Sequence, residues 1–233
     1  MKFTVDKEIF SKYAPLKIAA VILENINNNA DIDDFWNAEF AAIEKSVQTK
    51  FADIELGDYP VIRRWREIYK SFGEKDARSS IEALIKRIRN GKGLYRINPL
   101  VDLYNLASLK FELPAGGENL DKMPGDLKLA FADGTEKFLE LGATEFETPA
   151  AGEVIYKSGD IVVCRNFNYR DSEITKLAPN TTQAIIVFED ISAGAENLMN
   201  AVDCIAERAA SLLGAKAKKT IVLDAAKNEA ELD

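Results

Sequence analysis

The feature that most restricts the fold of this chain is a change of hydrophobic period about halfway along it. From about residue 30 to residue 112, apolar residues return every three or four positions. From about residue 126 they alternate, broken by short turn signals. A period of 3.6 suits a helix and a period of 2 suits a strand, and one stretch cannot serve both. The order therefore predicts an α+β protein, with helices dominating the first half and antiparallel hairpins the second, rather than a doubly wound α/β sheet.

The first half divides readily. "KFTVD" and "KIAAVILENI" read as strands rich in β-branched residues. "DIDDFWNAEFAAIEKSVQTKF" reads as a helix with aspartates in its first turn. "VIRRWREIYKSFG" and "SSIEALIKRIRNGKG" follow as helices, the second capped by Ser79 or Ser80 and stopped by Gly91. "NPLVDLYNLASLKFE" opens at Asn98 with Pro99 in the first helical position. Beyond it, "DLKLAFADGTEKFLEL" predicts a hairpin on its Asp-Gly turn, and "GEVIYKSGDIVVCRNF" predicts another on Ser-Gly. "QAIIVFEDI" is one more strand, "GAENLMNAVDCIAERAASLLG" a late helix and "KTIVLD" a closing strand, after which "AAKNEAELD" is expected to fray. The 233 residues fit one domain over 1–233, with a helical part at about 30–112, a β-rich part at about 126–190, and a final helix and strand at about 193–224.

Composition excludes several chemistries. The chain contains no histidine, so a Ser-His-Asp triad, a Cys-His dyad and a His-ligated zinc are all ruled out. Its two cysteines, Cys164 and Cys204, make neither a disulfide framework nor a metal-ligand spacing. Cys164 lies in an apolar strand and reads as buried filler. "PAGGEN" lacks the spacing and lysine of a phosphate loop, and no dinucleotide fingerprint follows a strand. The opening "MKFTVDKEIF" lacks the apolar core of a signal peptide, and no apolar run could span a bilayer. A cytoplasmic setting without cofactor or metal is the expectation. The net charge of −8 disfavours a broad grip on nucleic acid and gives no reason to expect DNA or a membrane as partner. Basic residues nevertheless concentrate in two helices: Arg63 and Arg64 in one, and Lys86, Arg87, Arg89, Lys92 and Arg96 in and after the other. They are either solvated helix faces or a local phosphate-binding surface.

Two apolar segments are threaded with polar groups. In "GLYRINPLVDLYNLASLKFELPAGGENLD", residues 93–121, these are Arg96, Asn98, Asp102, Asn105, Ser108 and Glu118. In "VVCRNFNYRDSEIT", residues 162–175, they are Arg165, Asn166, Asn168 and Arg170. Strand alternation would put Arg165, Phe167 and Tyr169 on one side, and Asn166, Asn168 and Arg170 on the other. A buried polar group without a partner costs roughly 1–3 kcal/mol. These groups therefore either satisfy one another or line a pocket for a polar ligand. Tyr104 and Trp65 read as core, and Asp102 either braces a neighbouring segment or contacts the ligand.

Residues from about 96 to 190 resemble the B3/B4 domain, the editing module of the phenylalanyl-tRNA synthetase β subunit. The resemblance rests on "RINPLVDLYNLASLKFELP", "ENLDKMPGDLKLAFADGTEKFLELG" and the strand ending in Glu189. The segment "RRWREIYKSFGEKDARSSIEALIKRI" resembles free-standing relatives of that domain. The resemblance implies an antiparallel, β-sandwich-like core flanked by helices. It also implies hydrolysis of the ester between a wrong amino acid and tRNA, in a pocket where Asn98, Asp102, Asn105 and Glu189 fall on matching polar positions. It also marks departures. The family's histidine position falls on Gly116, a threonine position is Tyr104, and a Gly-rich wall becomes "CRNFNYRDS". A smaller or more polar substrate than tyrosine is expected.

The expected site therefore comprises Glu118 and Glu189 as the catalytic groups. Asn98, Asp102, Asn105, Ser108, Arg165, Asn166, Asn168 and Arg170 would contact substrate, and the basic residues at 63–96 would contact tRNA. The leading expectation is a deacylase of mischarged tRNA acting in trans. The alternative is a non-catalytic module for a free amino acid or similar metabolite. An accessory protein that keeps only the fold ranks last.

Overall fold

The computed structural model describes residues 1–192 and 196–233. Its centre is β2 (Lys17–Glu24), whose residues from Ile18 to Leu23 are all buried. A strand covered on both faces needs an unbroken apolar run, and "IAAVIL" supplies it. β2 pairs antiparallel with β8 (Ala184–Asp190) on one side and β9 (Lys216–Leu223) on the other, and β3 (Ala115–Asn119) lies outside β8. A second sheet contains β1 (Lys2–Val5), β4 (Leu127–Phe131), β5 (Val154–Ser158), β6 (Ile161–Arg165), β7 (Arg170–Asp171) and β10 (Glu229–Glu231), in the order β10-β1-β4-β5-β6-β7. Its β1–β4 pair is parallel.

Ile18, Ala20 and Ile22 point from β2 into a core shared with Phe3, Leu127, Leu129 and Val163 of the second sheet. Ala19, Val21 and Leu23 point the other way. They meet Leu100, Leu103 and Ala107 of α5 (Pro99–Phe111) and Leu198, Val202 and Ile205 of α6 (Glu196–Leu213). A third core lies beyond α5. There Leu106 and Leu109 pack with Trp36, Ile43 and Val47 of α2 (Asp33–Phe51) and with Ile81, Ile85 and Ile88 of α4 (Ser80–Arg89). The short α1 (Lys7–Lys12) and α3 (Pro60–Ser71) complete the described helices. The architecture is α+β: sheet on sheet, with helices on the far face of the smaller sheet. No helix among the described residues is long and apolar enough to cross a membrane.

Local signals set the helix ends. Ser79 accepts from the Glu82 amide at 3.4 Å, and Gly91 after α4 has φ +69°. Asn98 caps α5 by accepting from Val101 N at 3.1 Å, while its amide donates to Leu177 O at 3.1 Å. Asn98→Ala removes a cap and strands a buried carbonyl, so it is expected to cost about 2 kcal/mol in chemical denaturation. A cost near zero would show that neither bond matters.

Two expected elements differ. The Asp-Gly hairpin at 127–141 does not form. The buried Glu136 carboxylate accepts from Asp133 N at 3.2 Å and Gly134 N at 3.2 Å and pairs with Lys157 at 2.7 Å, so the turn closes on a side chain. β4 pairs instead with β5, Phe131 opposite Val154, and residues 137–140 make only isolated bridges to Ile161, Glu147 and Ser172. The tail does not fray either. β10 pairs with β1, Lys2 opposite Glu231, and Leu232 is buried. Of the expected final helix, residues 194 and 195 lie outside the described residues.

Candidate functional site

On the face of β3 and β8 that looks towards the larger sheet, Gly116 stands opposite Val187 and Glu118 opposite Ile185. Glu189 lies two residues beyond Val187, and its amide donates to Pro114 O at 3.2 Å. Four residues along a strand span roughly 13 Å, so the backbones of Glu118 and Glu189 flank an open stretch of sheet. Gly116 leaves that stretch bare: a Cβ built there would meet nothing within 4 Å. The larger sheet supplies Tyr156, Val163, Cys164 and Asp171 as the opposing wall, and the first turn of α4 supplies Ser80. Together they line a cavity of about 80 Å³ that opens to solvent.

The neighbouring Gly117 faces away, and its need is different. A Cβ there would lie 2.7 Å from Ile186 Cδ1, 2.9 Å from Leu177 Cδ1 and 3.2 Å from Tyr104 Cε1. The glycines of "PAGGEN" thus serve two faces of one strand, close packing behind and open space in front.

Three carboxyl groups line the cavity, and burial raises the pKa of each. Glu118 is pushed well up by burial and by nearby Asp171, with partial relief from the Thr175 hydroxyl. Asp171 is raised by burial, against a contact from Cys164. Glu189 is pushed up to about 7 by burial, against hydrogen bonds from Tyr156 and Asn168. Among the described residues, no lysine or arginine lines the cavity. The Cys164 thiol, buried beside Asp171 and Glu118, is held well above its usual value and is no thiolate nucleophile at neutral pH.

Glu189 sits in a fixed network. The Tyr156 hydroxyl donates to its Oε1 at 2.5 Å, and Asn168 Nδ2 donates to its Oε2. Asn168 Oδ1 accepts from the Tyr69 hydroxyl at 2.8 Å and from Ser80 N at 3.2 Å, which leaves its amide nitrogen aimed at Glu189. Asn168 reaches this position through a break in strand geometry. β6 ends at Arg165, and Asn166 and Phe167 both adopt left-handed backbone, with φ +52° and +61°. The fully buried Phe167 ring anchors that turn edge-on against Tyr13 and Trp65, at 5.5 and 5.4 Å between centroids. The expected alternation over 165–170 is therefore replaced by a turn, and Phe167, Asn168 and Tyr169 all reach the cavity.

Of the residues expected to act in catalysis or to contact substrate, Glu118, Glu189 and Asn168 line the cavity. The others lie elsewhere. Asn98 caps α5. Asp102 accepts from Arg96 Nε at 2.7 Å and Ile97 N at 2.9 Å, and Ser108 donates to Leu113 O at 2.6 Å. Asn105 is half-buried on α5, outside the cavity lining. Arg165 pairs with buried Glu153 through two contacts of 2.7 Å and with Glu147 at 2.9 Å, while Arg170 pairs with Glu140. Asn166 is buried away from the lining, its Oδ1 without a partner among the described residues. These positions are polar because helix ends, a tight turn and a loop need them. Tyr104 and Trp65 are core.

The expected basic surface is only partly available. Arg64 reaches Ala14 O at 3.3 Å, and Arg89 donates to Ile54 O at 2.7 Å. Arg96 is held by Asp102 and Asp33. Arg63, Lys86 and Lys92 are exposed, and Arg87 lies over the Tyr95 ring.

Sequence reading missed Tyr156, Tyr69, Ser80 and Asp171. Tyr156 had a usable signal, since a tyrosine inside a buried strand needs a partner for its hydroxyl. The Ser80 amide and the Tyr69 hydroxyl had none, because they act on a residue 88 and 99 positions away.

The B3/4 domain family model matches residues 64–195. No curated protein matches the chain. Among solved structures, an N-terminal fragment of the phenylalanyl-tRNA synthetase β-subunit from Pyrococcus horikoshii is similar at a TM-score of 0.48 and 14% identity. That similarity covers 92% of this chain and 49% of the other, so the chain spans about half the length of that structure. The family match takes in more than half of the chain and every residue lining the cavity, from Ser80 to Glu189, and the chain therefore belongs to the B3/4 domain family.

Proposed function

We propose that the cavity receives the aminoacyl end of a mischarged tRNA and hydrolyses its ester in trans. The observation that carries this reading is the convergence of Glu118, Asp171 and Glu189 on one enclosed space lined by no cation among the described residues. Such a space is incomplete without a positive group, and the ammonium of an amino acid is a small one that fits it.

The three carboxyl groups sit in different surroundings, which suits acid–base division of labour. Glu189, poised near 7, takes a proton from water as the water oxygen attacks the ester carbonyl. Burial and nearby Asp171 push the Glu118 pKa well up, which favours the protonated form that donates a hydrogen bond to the developing oxyanion. Asp171 meets the ammonium. The bond from carbonyl carbon to ribose oxygen then breaks, and the proton on Glu189 passes to the leaving oxygen. Asn168 and Tyr156 hold Glu189 in place, and no histidine is required.

The test is a panel of tRNAs mischarged with different amino acids, followed for ester loss. Selective loss for one or a few amino acids is expected. Gly116→Leu is expected to slow it by about a hundredfold, because the new side chain enters space that substrate must occupy. The backbone there is unstrained, so the melting temperature should hardly move. No ester loss across the panel, beside an active control enzyme, would overturn the reading.

The engagement of Arg64, Arg89 and Arg96 within the protein favours a second reading, a binding module for a free amino acid. A rise in melting temperature with one amino acid, without ester loss, would select it.

A further inference from the structure

The loop after α4 presents an exposed aromatic ring to solvent with a cation fixed behind it. Tyr95 is 67% exposed, yet the Arg87 guanidinium carbon lies 3.5 Å from its ring centroid. That stack is pinned. Arg87 donates to Lys92 O at 3.3 Å, and Lys92 N donates to Arg87 O at 3.1 Å. Gly91, at φ +69°, allows the chain to turn back in between. One face of the ring is occupied and the other is open. Ile97, close by in sequence, is also exposed, at 60%. From 83 to 101 the sequence carries Lys86, Arg87, Arg89, Lys92 and Arg96 and no acid. Lys86 and Lys92 are exposed and form no ion pair among the described residues.

We propose that the Arg87–Tyr95 stack, with Lys86 and Lys92, is a docking surface for single-stranded RNA. A base stacks on the open face of Tyr95, and the flanking phosphates meet the two lysines. Bases stack on aromatic side chains whatever their identity, and a cation behind the ring strengthens the platform. A base-paired duplex hides its base faces and offers only phosphates, so the surface selects an unpaired strand. The negative charge of the rest of the molecule confines the strand to this patch. The patch lies at the C-terminal end of α4, about 15 Å along the helix axis from Ser80 at the cavity. The proposal rests on the deacylase reading only for which RNA occupies the surface; binding is measured separately.

The experiment is fluorescence anisotropy of the whole chain with an unstructured RNA of about twelve nucleotides, at about 50 and about 200 mM salt. Tyr95→Ala is expected to weaken binding about tenfold, whereas Tyr95→Phe keeps it within about twofold. Lys86→Gln with Lys92→Gln is expected to flatten the log–log salt slope by about 1.4. No binding at the lower salt overturns the proposal. So does binding that Tyr95→Ala leaves unchanged, or equal affinity for a blunt RNA duplex. Tyr95-dependent binding without ester loss in the tRNA panel would support the surface and sink the deacylase reading. Ester loss together with Tyr95-independent RNA binding would do the reverse.

Discussion

Arg165→Leu is expected to destabilise the protein by about 3–5 kcal/mol, the cost of leaving a buried charge without its partner. Glu153 is 1% exposed in its side chain and takes both Arg165 contacts at 2.7 Å. Nothing else cationic reaches it among the described residues. Arg165 also binds Glu147 and lies 5.5 Å from the Phe138 ring centroid, so it ties the loop between β4 and β5 to the end of β6. The double variant Arg165→Leu, Glu153→Leu is expected to recover most of the loss, because a buried ion pair and a well-packed apolar pair are of similar stability. Urea denaturation of the three proteins measures both effects. If Arg165 instead served a ligand, the single variant would melt like the wild type and lose only binding.

Stability is expected to fall by about 3 kcal/mol as pH rises from about 5 to 8, through Glu189 alone. Its folded pKa of about 7 exceeds the ordinary 4.5. Between those values the unfolded chain releases a proton that the folded chain keeps. The contribution is therefore complete below about 4.5, declines as pH rises, and is gone by about 8. Glu118 and Asp171, also raised, act in the same direction. Below 4.5 the sign reverses, because Glu136 and Glu140 are lowered by Lys157 and Arg170 and lose those partners on protonation. Stability should thus peak near mildly acidic pH. Denaturation at several pH values tests it, and Glu189→Leu should flatten the decline even though it leaves Tyr156 and Asn168 without their acceptor. A flat or rising profile in wild type between pH 5 and 8 would contradict the burial of these carboxyls. The same titration predicts an ester-hydrolysis rate that climbs through pH 7.

The elements legible in the sequence were those fixed by neighbours in the chain. Ser79 and Gly91 bound α4, Asn98-Pro99 opens α5, and Ser158-Gly159 turns β5 into β6. Those that were not legible depend on distant groups. β10 is a polar tail that becomes a strand because β1 offers it an edge. "AGGEN" has poor strand propensity, but Gly117 is required where Ile186, Leu177 and Tyr104 crowd its α-carbon. The site divides likewise. That Asn98, Asp102 and Ser108 are buried polar groups could be read. Whether their partners were backbone or ligand could not, since both satisfy the same atoms. Arg165 and Arg170 were misplaced because their partners, Glu140, Glu147 and Glu153, lie at the ends of the two expected hairpins and in the loop between them, where local pattern shows no contact.

The central position of β2 has a consequence for synthesis. It leaves the ribosome well before its two neighbours, β8 and β9, which begin only at residues 184 and 216. While the chain between β2 and β8 is made, six consecutive apolar residues have neither edge paired. Loop closure over such separations is slow, and a bare hydrophobic strand is a template for aggregation. The nascent chain is thus most in need of a chaperone between the emergence of residue 24 and that of residue 223.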